Sequence, residues 1–236
     1  MLRAPLATVD GISVFTTGID EYADGNPYRD ETVKAGTWDR SRVRMILDAT
    51  VGPDVLDMGS GEGELSAELA KRFTVEGLDY SISAVRLARA LVPNANFIVA
   101  DAQDPPYESA RFDTVVMGNL FEHVESPCQL LRAARRVLKP GGRLVMSTPS
   151  RYKTASFRRA ITGRKIILNS THHVTEYTVG QVEEMLRWCG FRVVSVRSNL
   201  KCRTALGTAL AHAMQFGANA IGSHTQFGDP TVYVAT

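Results

Sequence analysis

An α/β domain built on a doubly wound, mostly parallel sheet is what the 236 residues predict, and three observations predict it. Short apolar runs alternate with helix-period segments, the pattern of strands covered by helices on both faces. A glycine-rich turn, Gly59 to Gly63, directly follows one of those runs, as the first strand-to-helix connection of such a sheet does. Hydrophobic residues make up 44% and charged residues 22% of the chain. That is enough apolar surface for a sizeable single core, and it excludes disordered and fibrous classes.

Each element has a local signal. A helix is expected over 39–50, where Val43, Ile46, Leu47 and Thr50 share a face. Residues 55–58 read as the first strand, followed by the glycine loop and a helix to about Arg72. Residues 75–79 form the second strand, and Ser81 can cap a helix carrying Val85, Ala88, Leu91 and Val92. Residues 96–101 are the third strand, and Pro105–Pro106 keep the next segment irregular. Residues 112–119 are the fourth. Ser126 ahead of Pro127 starts a helix to about Leu138, which Lys139-Pro140-Gly141-Gly142 ends. Residues 142–149 are the fifth strand. Thr178 with Gln181 makes a capping box for a helix to about Cys189, and 191–196 are the sixth strand. Leu206, Leu210, Met214 and Ile221 place a helix over 204–222 that could pack on the sheet or on a second subunit as a homodimer. Residues 231–236 are the seventh strand, expected antiparallel to the sixth. A single domain spans 1–236, with 1–38 as an N-terminal lid and 150–175 as an insertion on the substrate side.

Three scattered cysteines, Cys128, Cys189 and Cys202, with no CxxC spacing, argue against a disulfide scaffold or a thiolate zinc site. The first fifteen residues lack an apolar signal core, and no run of 18 uncharged apolar residues exists, so a cytoplasmic location is expected. Net charge is +2, but unevenly placed: Arg132 to Lys165 hold eleven Lys or Arg and no acid. That argues against a uniformly basic nucleic-acid binder and leaves room for a local basic face.

The loop Val55-Leu56-Asp57-Met58-Gly59-Ser60-Gly61-Glu62-Gly63 carries the chemistry. A dinucleotide fingerprint needs glycine at the sixth place counted from Gly59, where Glu64 stands. Asp57, two residues before Gly59, is unwelcome beside a pyrophosphate and attractive to an ammonium and a sulfonium. The loop therefore suits an amino-acid-bearing nucleoside better than a nicotinamide dinucleotide. Asp79, 22 residues after Asp57, ends the second strand, from where a carboxylate can accept both ribose hydroxyls. Asp101 ends the third strand and could accept an adenine amino group, with the Ala102 N–H offered to a ring nitrogen.

Across residues 40–200 these motifs resemble the class I S-adenosylmethionine-dependent methyltransferases, a Rossmann-like family. The first motif is Val55–Ser66, the second Val75–Ser81, the third Val99–Val124, and Leu131–Ser150 is similar to the family's helix, turn and fifth strand. The resemblance implies S-adenosyl-L-methionine as cofactor. It implies that Asp57, Gly59, Ser60 and Gly61 line the methionine portion, that Asp79 holds the ribose with Ser81 beside it, and that Tyr80 flanks the adenine. Asp101 and Ala102 would read the adenine edge, and the Asn119 carbonyl would receive the ammonium. An Arg or aromatic near the lid, among Tyr22, Tyr28, Trp38 and Arg42, would bind the cofactor carboxylate.

For the acceptor, histidine is the natural base near neutral pH. Of five histidines, His123, His172 and His173 fall in segments facing the carboxyl edge and are the candidate catalytic residues. A divalent metal on Glu122, His123 and His173 is a sharper alternative, since ubiquinone-biosynthesis O-methyltransferases and small-RNA 2′-O-methyltransferases carry a similar Glu-x-x-Glu-His. Here Asn119 replaces the first acid, an uncharged and poorer ligand for a hard cation, so no metal is expected. The insertion loosely resembles that of the ubiquinone enzymes. Phe157, Ala160, Ile161 and Leu168 could share a helical face ringed by Arg158, Arg159, Arg164 and Lys165, giving 151–168 a peripheral contact with an anionic membrane. The expected acceptor is a small or amphipathic metabolite methylated on O or N. The alternatives are RNA 2′-O-methylation and a cofactor-binding scaffold without catalysis.

Overall fold

A computed structural model describes residues 2–17, 20, 23–24, 40–168, 170, 172–200, 205–220 and 229–236. Tyr22, Tyr28, Trp38 and Cys202 lie outside the described residues. In chain order the elements are β1 (Ala7–Val9), β2 (Ile12–Val14), α1 (Arg40–Ala49), β3 (Asp54–Met58), α2 (Glu64–Leu69), β4 (Thr74–Asp79), α3 (Ile82–Leu91) and β5 (Asn96–Val99). They continue with β6 (Phe112–Gly118), α4 (Pro127–Val137), β7 (Leu138–Thr148), α5 (Thr154–Ile161), α6 (Val179–Trp188), β8 (Val193–Ser198), α7 (Ala205–Ala220) and β9 (Thr231–Ala235).

All nine strands form one sheet, ordered β1-β2-β5-β4-β3-β6-β7-β9-β8. The central β5-β4-β3-β6-β7 run is parallel, and β9 lies antiparallel between β7 and β8. The order reverses at β3, so a crevice opens at the carboxyl ends of β3 and its neighbours, where such sheets bind ligands. Val55, Leu56, Leu78, Val115, Val116 and Met146 are buried in strands covered on both faces, which is why these strands read as continuous apolar runs.

Two strands more than the seven expected come from the N-terminus. Residues 7–14, expected within a lid, pair as a hairpin, and Val14 joins Val99 at the β5 edge. Three-residue strands, one of them fully exposed, leave no periodicity to detect.

Local signals account for three helix starts. Thr178 and Gln181 form the expected capping box, and the Ser81 hydroxyl accepts from the Ala84 N–H at 3.2 Å. Ser126 makes no side-chain cap bond, so Pro127 alone marks the start of α4. Lys139–Gly142 is taken into β7 as an irregularity between the Phe112–Leu138 and Thr114–Arg143 pairs, with Gly141 at φ +76°.

In α7 the expected face is wrong. Ala211, Gln215 and Ala218 are buried while Leu206, Leu210 and Phe216 are exposed. The polar residues Thr208, His212, Gln215 and Asn219 recur at helical spacing, yet Gln215 lies on the buried face, so apolar periodicity chose the wrong side. Helix α5 ends at Ile161, so Leu168 does not share a face with Phe157. Among the described residues no helix is long and apolar enough to cross a membrane.

Candidate active site

Two groups of side chains meet at the carboxyl edge. The first surrounds the glycine loop. Asp57, at the end of β3, is buried and accepts from the Ser66 hydroxyl at 2.6 Å. Burial pushes its carboxyl up to about 6; the Asp79 charge adds to this, and Ser66 and Arg42 oppose it. Gly59 and Ser60 both donate their N–H to the Leu78 carbonyl, at 2.8 and 3.0 Å, which ties the loop to β4. Gly59, Gly61 and Gly63 all hold positive φ, at +74°, +51° and +86°. A Cβ on Gly59 would stand 2.9 Å from Leu120 Cδ1, and one on Gly63 the same distance from the Ala88 backbone. Side chains are thus excluded at both ends of the loop.

Asp79 is held from two sides. Its Oδ2 accepts from the Gly61 N–H at 2.9 Å and its Oδ1 from the Ser81 N–H at 3.0 Å. Tyr80 is half-buried next to it. Ser81 is fully buried, and its hydroxyl also donates to Asp20, so it organises the rim from within. Asp101 is exposed, with Oδ1 accepting from the Gln103 N–H at 2.8 Å, and Ala102 is half-buried. Asn119 sits at φ +58°, a left-handed conformation that Asn tolerates better than most residues and that turns the chain off β6. Its side-chain oxygen accepts from the Ser147 hydroxyl at 2.9 Å, and Arg42 donates to the same hydroxyl oxygen at 3.3 Å.

The second group lies three residues beyond Asn119. Glu122, fully buried, accepts from the Thr148 hydroxyl at 2.9 Å through Oε2, while Oε1 is buried with no hydrogen-bond partner among the described residues. Burial pushes its carboxyl up to about 7, against the pull of its own N–H, His173, Thr148 and Arg42. One ligand atom each from Glu122, His123 and His173 lie within 4.8 Å of one another. The two imidazoles meet edge to face with centroids 5.0 Å apart. The Val174 N–H donates to the Glu122 carbonyl at 2.9 Å, pinning the end of the insertion here.

Of the three candidate histidines the structure thus brings two together. His172 has an exposed side chain; its carbonyl oxygen lies 3.2 Å from His123 Nδ1. The pair sits in a turn built on Ser170, whose hydroxyl accepts from the His172 N–H at 3.0 Å, and of the two only His173 joins Glu122 and His123.

Sequence reasoning passed over Glu176, Lys153, Thr148 and Ser147. Glu176 is buried, 3.2 Å from His173 Nδ1 and 2.8 Å from Lys153 Nζ. The His-x-x-Glu spacing was a usable signal for Glu176. Lys153, inside a run of basic residues, offered none.

Fold and site together define a nucleoside-binding open α/β sheet. Residues 29–196 match the family model for a methyltransferase domain, and the chain belongs to the class I S-adenosylmethionine-dependent methyltransferases. Among curated proteins it is 30% identical over 170 residues to the ubiquinone biosynthesis O-methyltransferase of Proteus mirabilis, covering 68% of this chain and 66% of that protein. It is 33% identical over 142 residues to the same-named protein of Xanthomonas oryzae pv. oryzae, covering 53% and 56%. The chain spans only about half to two thirds of these relatives' length. Phosphoethanolamine N-methyltransferase 2 of Haemonchus contortus, solved with S-adenosyl-L-methionine, shares the fold at TM-score 0.61 and 18% identity, over 95% of this chain and 61% of that one. The [4+2]-cyclase SpnF shares it at TM-score 0.57 and 23% identity, over 82% and 79%. This fold therefore hosts more than one chemistry, and activity is decided by the site.

Proposed function

We propose that the chain transfers a methyl group from S-adenosyl-L-methionine to an oxygen or nitrogen of a small or amphipathic acceptor, with His173 or His123 taking the acceptor's proton. The residues present fit the cofactor: a loop closed to Cβ atoms beside two buried acids, Asp57 and Asp79, suits a cationic, amino-acid-bearing nucleoside. Bound there, the cofactor supplies a methyl group on a cationic sulfur. Asp57, Gly59 and Gly61 would hold its methionine part and Asp79 its ribose, with Arg42 beside Asn119 and Ser147 available to its carboxylate.

The single observation carrying the reading is the convergence of Glu122, His123 and His173 a few residues from Asn119. Their work is to orient the acceptor and accept its proton, while burial keeps water from competing. The relatives named O-methyltransferases support oxygen as acceptor atom. The test is release of S-adenosylhomocysteine with a panel of phenols, catechols and amines, with and without apolar tails. Turnover by wild type and its loss in His123→Ala or His173→Ala is expected. Full turnover in both variants overturns the histidine role, and failure of calorimetry to detect S-adenosylhomocysteine binding overturns the whole reading.

One observation favours a second reading, in which the group holds a divalent ion. A carbonyl only accepts, so His123 Nδ1–H donates to the His172 oxygen, while His173 Nδ1 faces Glu176. One ligand atom each of Glu122, His123 and His173 lie within 4.8 Å of one another, and Glu122 Oε1 has no hydrogen-bond partner among the described residues. Two imidazoles and one carboxylate suit zinc better than magnesium. Metal content of the purified protein, and turnover after exhaustive chelation, decide between the readings.

The exposed Phe157, Ile161, Ile166 and Ile167, among Arg158, Arg159, Arg164 and Lys165, support a peripheral contact of the insertion with an anionic bilayer. Co-sedimentation with phosphatidylglycerol vesicles at low salt, lost at high salt and in Arg158→Glu/Arg159→Glu, is the expected result. No co-sedimentation even at low salt removes the contact.

A further inference from the structure

We propose that Glu176, anchored by Lys153, is a positioning residue that accepts the Nδ1–H of His173 and thereby fixes the ring in the tautomer with a bare Nε2. The inference rests on the reading of His173 as a proton acceptor and deepens it.

The insertion leaves β7 and returns to α6 through a closed neck. Ser150 and Tyr177 form a parallel bridge, and the Arg151 N–H donates to the Tyr177 carbonyl at 3.1 Å. Inside that neck lies the Lys153–Glu176 ion pair, at 2.8 Å, with side-chain exposures of 10% and 2%. A buried ion pair is a poor way to stabilise a neck, since apolar side chains of similar size do as well without the desolvation cost. What the carboxylate adds is direction. Glu176 spends Oε2 on Lys153 and turns Oε1 to His173 Nδ1 at 3.2 Å.

A carboxylate held by a lysine is an acceptor only, so the imidazole nitrogen facing it must carry the proton. In the neutral ring the other nitrogen then has its lone pair exposed. Since Glu176 takes up the Nδ1 edge, Nε2 is left for the side where His123 and Glu122 converge. The insertion is thereby coupled to the chemistry: its first helix and its last histidine are fastened through one carboxylate.

The experiment uses the full-length protein labelled with 15N, its His173 resonances assigned with a His173→Gln variant. Long-range 1H–15N spectra at about pH 8, above the ordinary histidine range, read the tautomer directly. The expected wild-type result is Nδ1–H with bare Nε2, and in Glu176→Gln a mixture of tautomers. With the best acceptor of the panel, kcat is expected to fall about 10–100-fold in Glu176→Gln. Acceptor KM and the Kd for S-adenosylhomocysteine should stay near wild type. Nε2–H in the wild type overturns the proposal without any variant having to fold. So does a Glu176→Gln protein that keeps the wild-type tautomer, whatever its kcat. A lost tautomer with unchanged kcat supports the positioning role and instead overturns the reading of His173 as the base.

Discussion

Replacing Asp57 by Asn should make the protein more stable and less able to bind its cofactor. Asp57 is 1% exposed at the end of β3, and burial raises its carboxyl from an ordinary 3.8 to about 6. A raised carboxyl means that the native state binds its proton more tightly than the unfolded chain does. Stability is therefore lost as pH rises from 3.8 towards 6 and stays lost above it. At about 1.36 kcal/mol per pH unit the cost is about 3 kcal/mol, carried by the protein at neutral pH for the sake of a buried negative charge. Asn keeps an oxygen for the Ser66 hydroxyl and removes the charge. Denaturant unfolding of the cofactor-free protein at about pH 8 should show Asp57→Asn more stable by about 2–3 kcal/mol. The thermal midpoint should rise by roughly 5–10 °C for a chain of this size. The advantage should shrink as pH falls through about 6 and vanish below 3.8. Calorimetry with S-adenosylhomocysteine should show affinity reduced about 10–100-fold, the worth of a charge-assisted contact to an ammonium. A variant less stable than wild type at about pH 8, or a gain of equal size in acid, refutes the reasoning: Asp57 would then be a structural residue satisfied by Ser66 alone.

Three further outcomes test other parts of the site. Glu122→Gln should stabilise in the same sense, by up to about 3 kcal/mol above pH 7, because burial raises this carboxyl from 4.5 to about 7; equilibrium unfolding across pH checks it, and turnover should fall while cofactor affinity holds. Gly63→Ala should cost about 2–3 kcal/mol, since its Cβ would meet the Ala88 backbone at 2.9 Å with φ at +86°; chemical denaturation measures it. Gly59→Ala should cost less stability, because the Cβ meets the movable end of Leu120, and more cofactor affinity, read by calorimetry.

How much of this was legible in the chain depends on whether the information was local. The glycine loop, Asp57 and Asp79 stand at strand ends, and a strand end is fixed by where an apolar run stops, so spacing placed them on one rim; Asn119, at the end of the next strand, was singled out by the resemblance. The capping box at Thr178 was legible for the same reason: both partners lie within four residues. The hairpin β1–β2 was not, because exposed three-residue strands have no buried face to alternate against. Nor was the buried face of α7, where the small residues Ala211 and Ala218 turn inward and Leu206 and Phe216 turn out.

The second group shows the limit most clearly. Glu122 and His123 are contiguous, and the resemblance set His173 beside them, but spacing alone does not say why His173, fifty residues on, closes the set while His172 does not. That choice is made by the neck of the insertion, where Tyr177 is bridged to Ser150 and Val174 is hydrogen-bonded to the Glu122 carbonyl. With these two contacts holding 174–177, His173 is partly buried and its neighbour His172 exposed, and Glu176 is buried beside His173. Lys153, inside a basic run from Arg132 to Lys165, reads as one solvated charge among eleven. Its burial comes from the one feature a linear reading lacks, a carboxylate waiting on the return segment of its own loop. Which side chains converge beside Asn119 is therefore decided by how the insertion is closed, and the make-up of the glycine-loop rim by where the strands end.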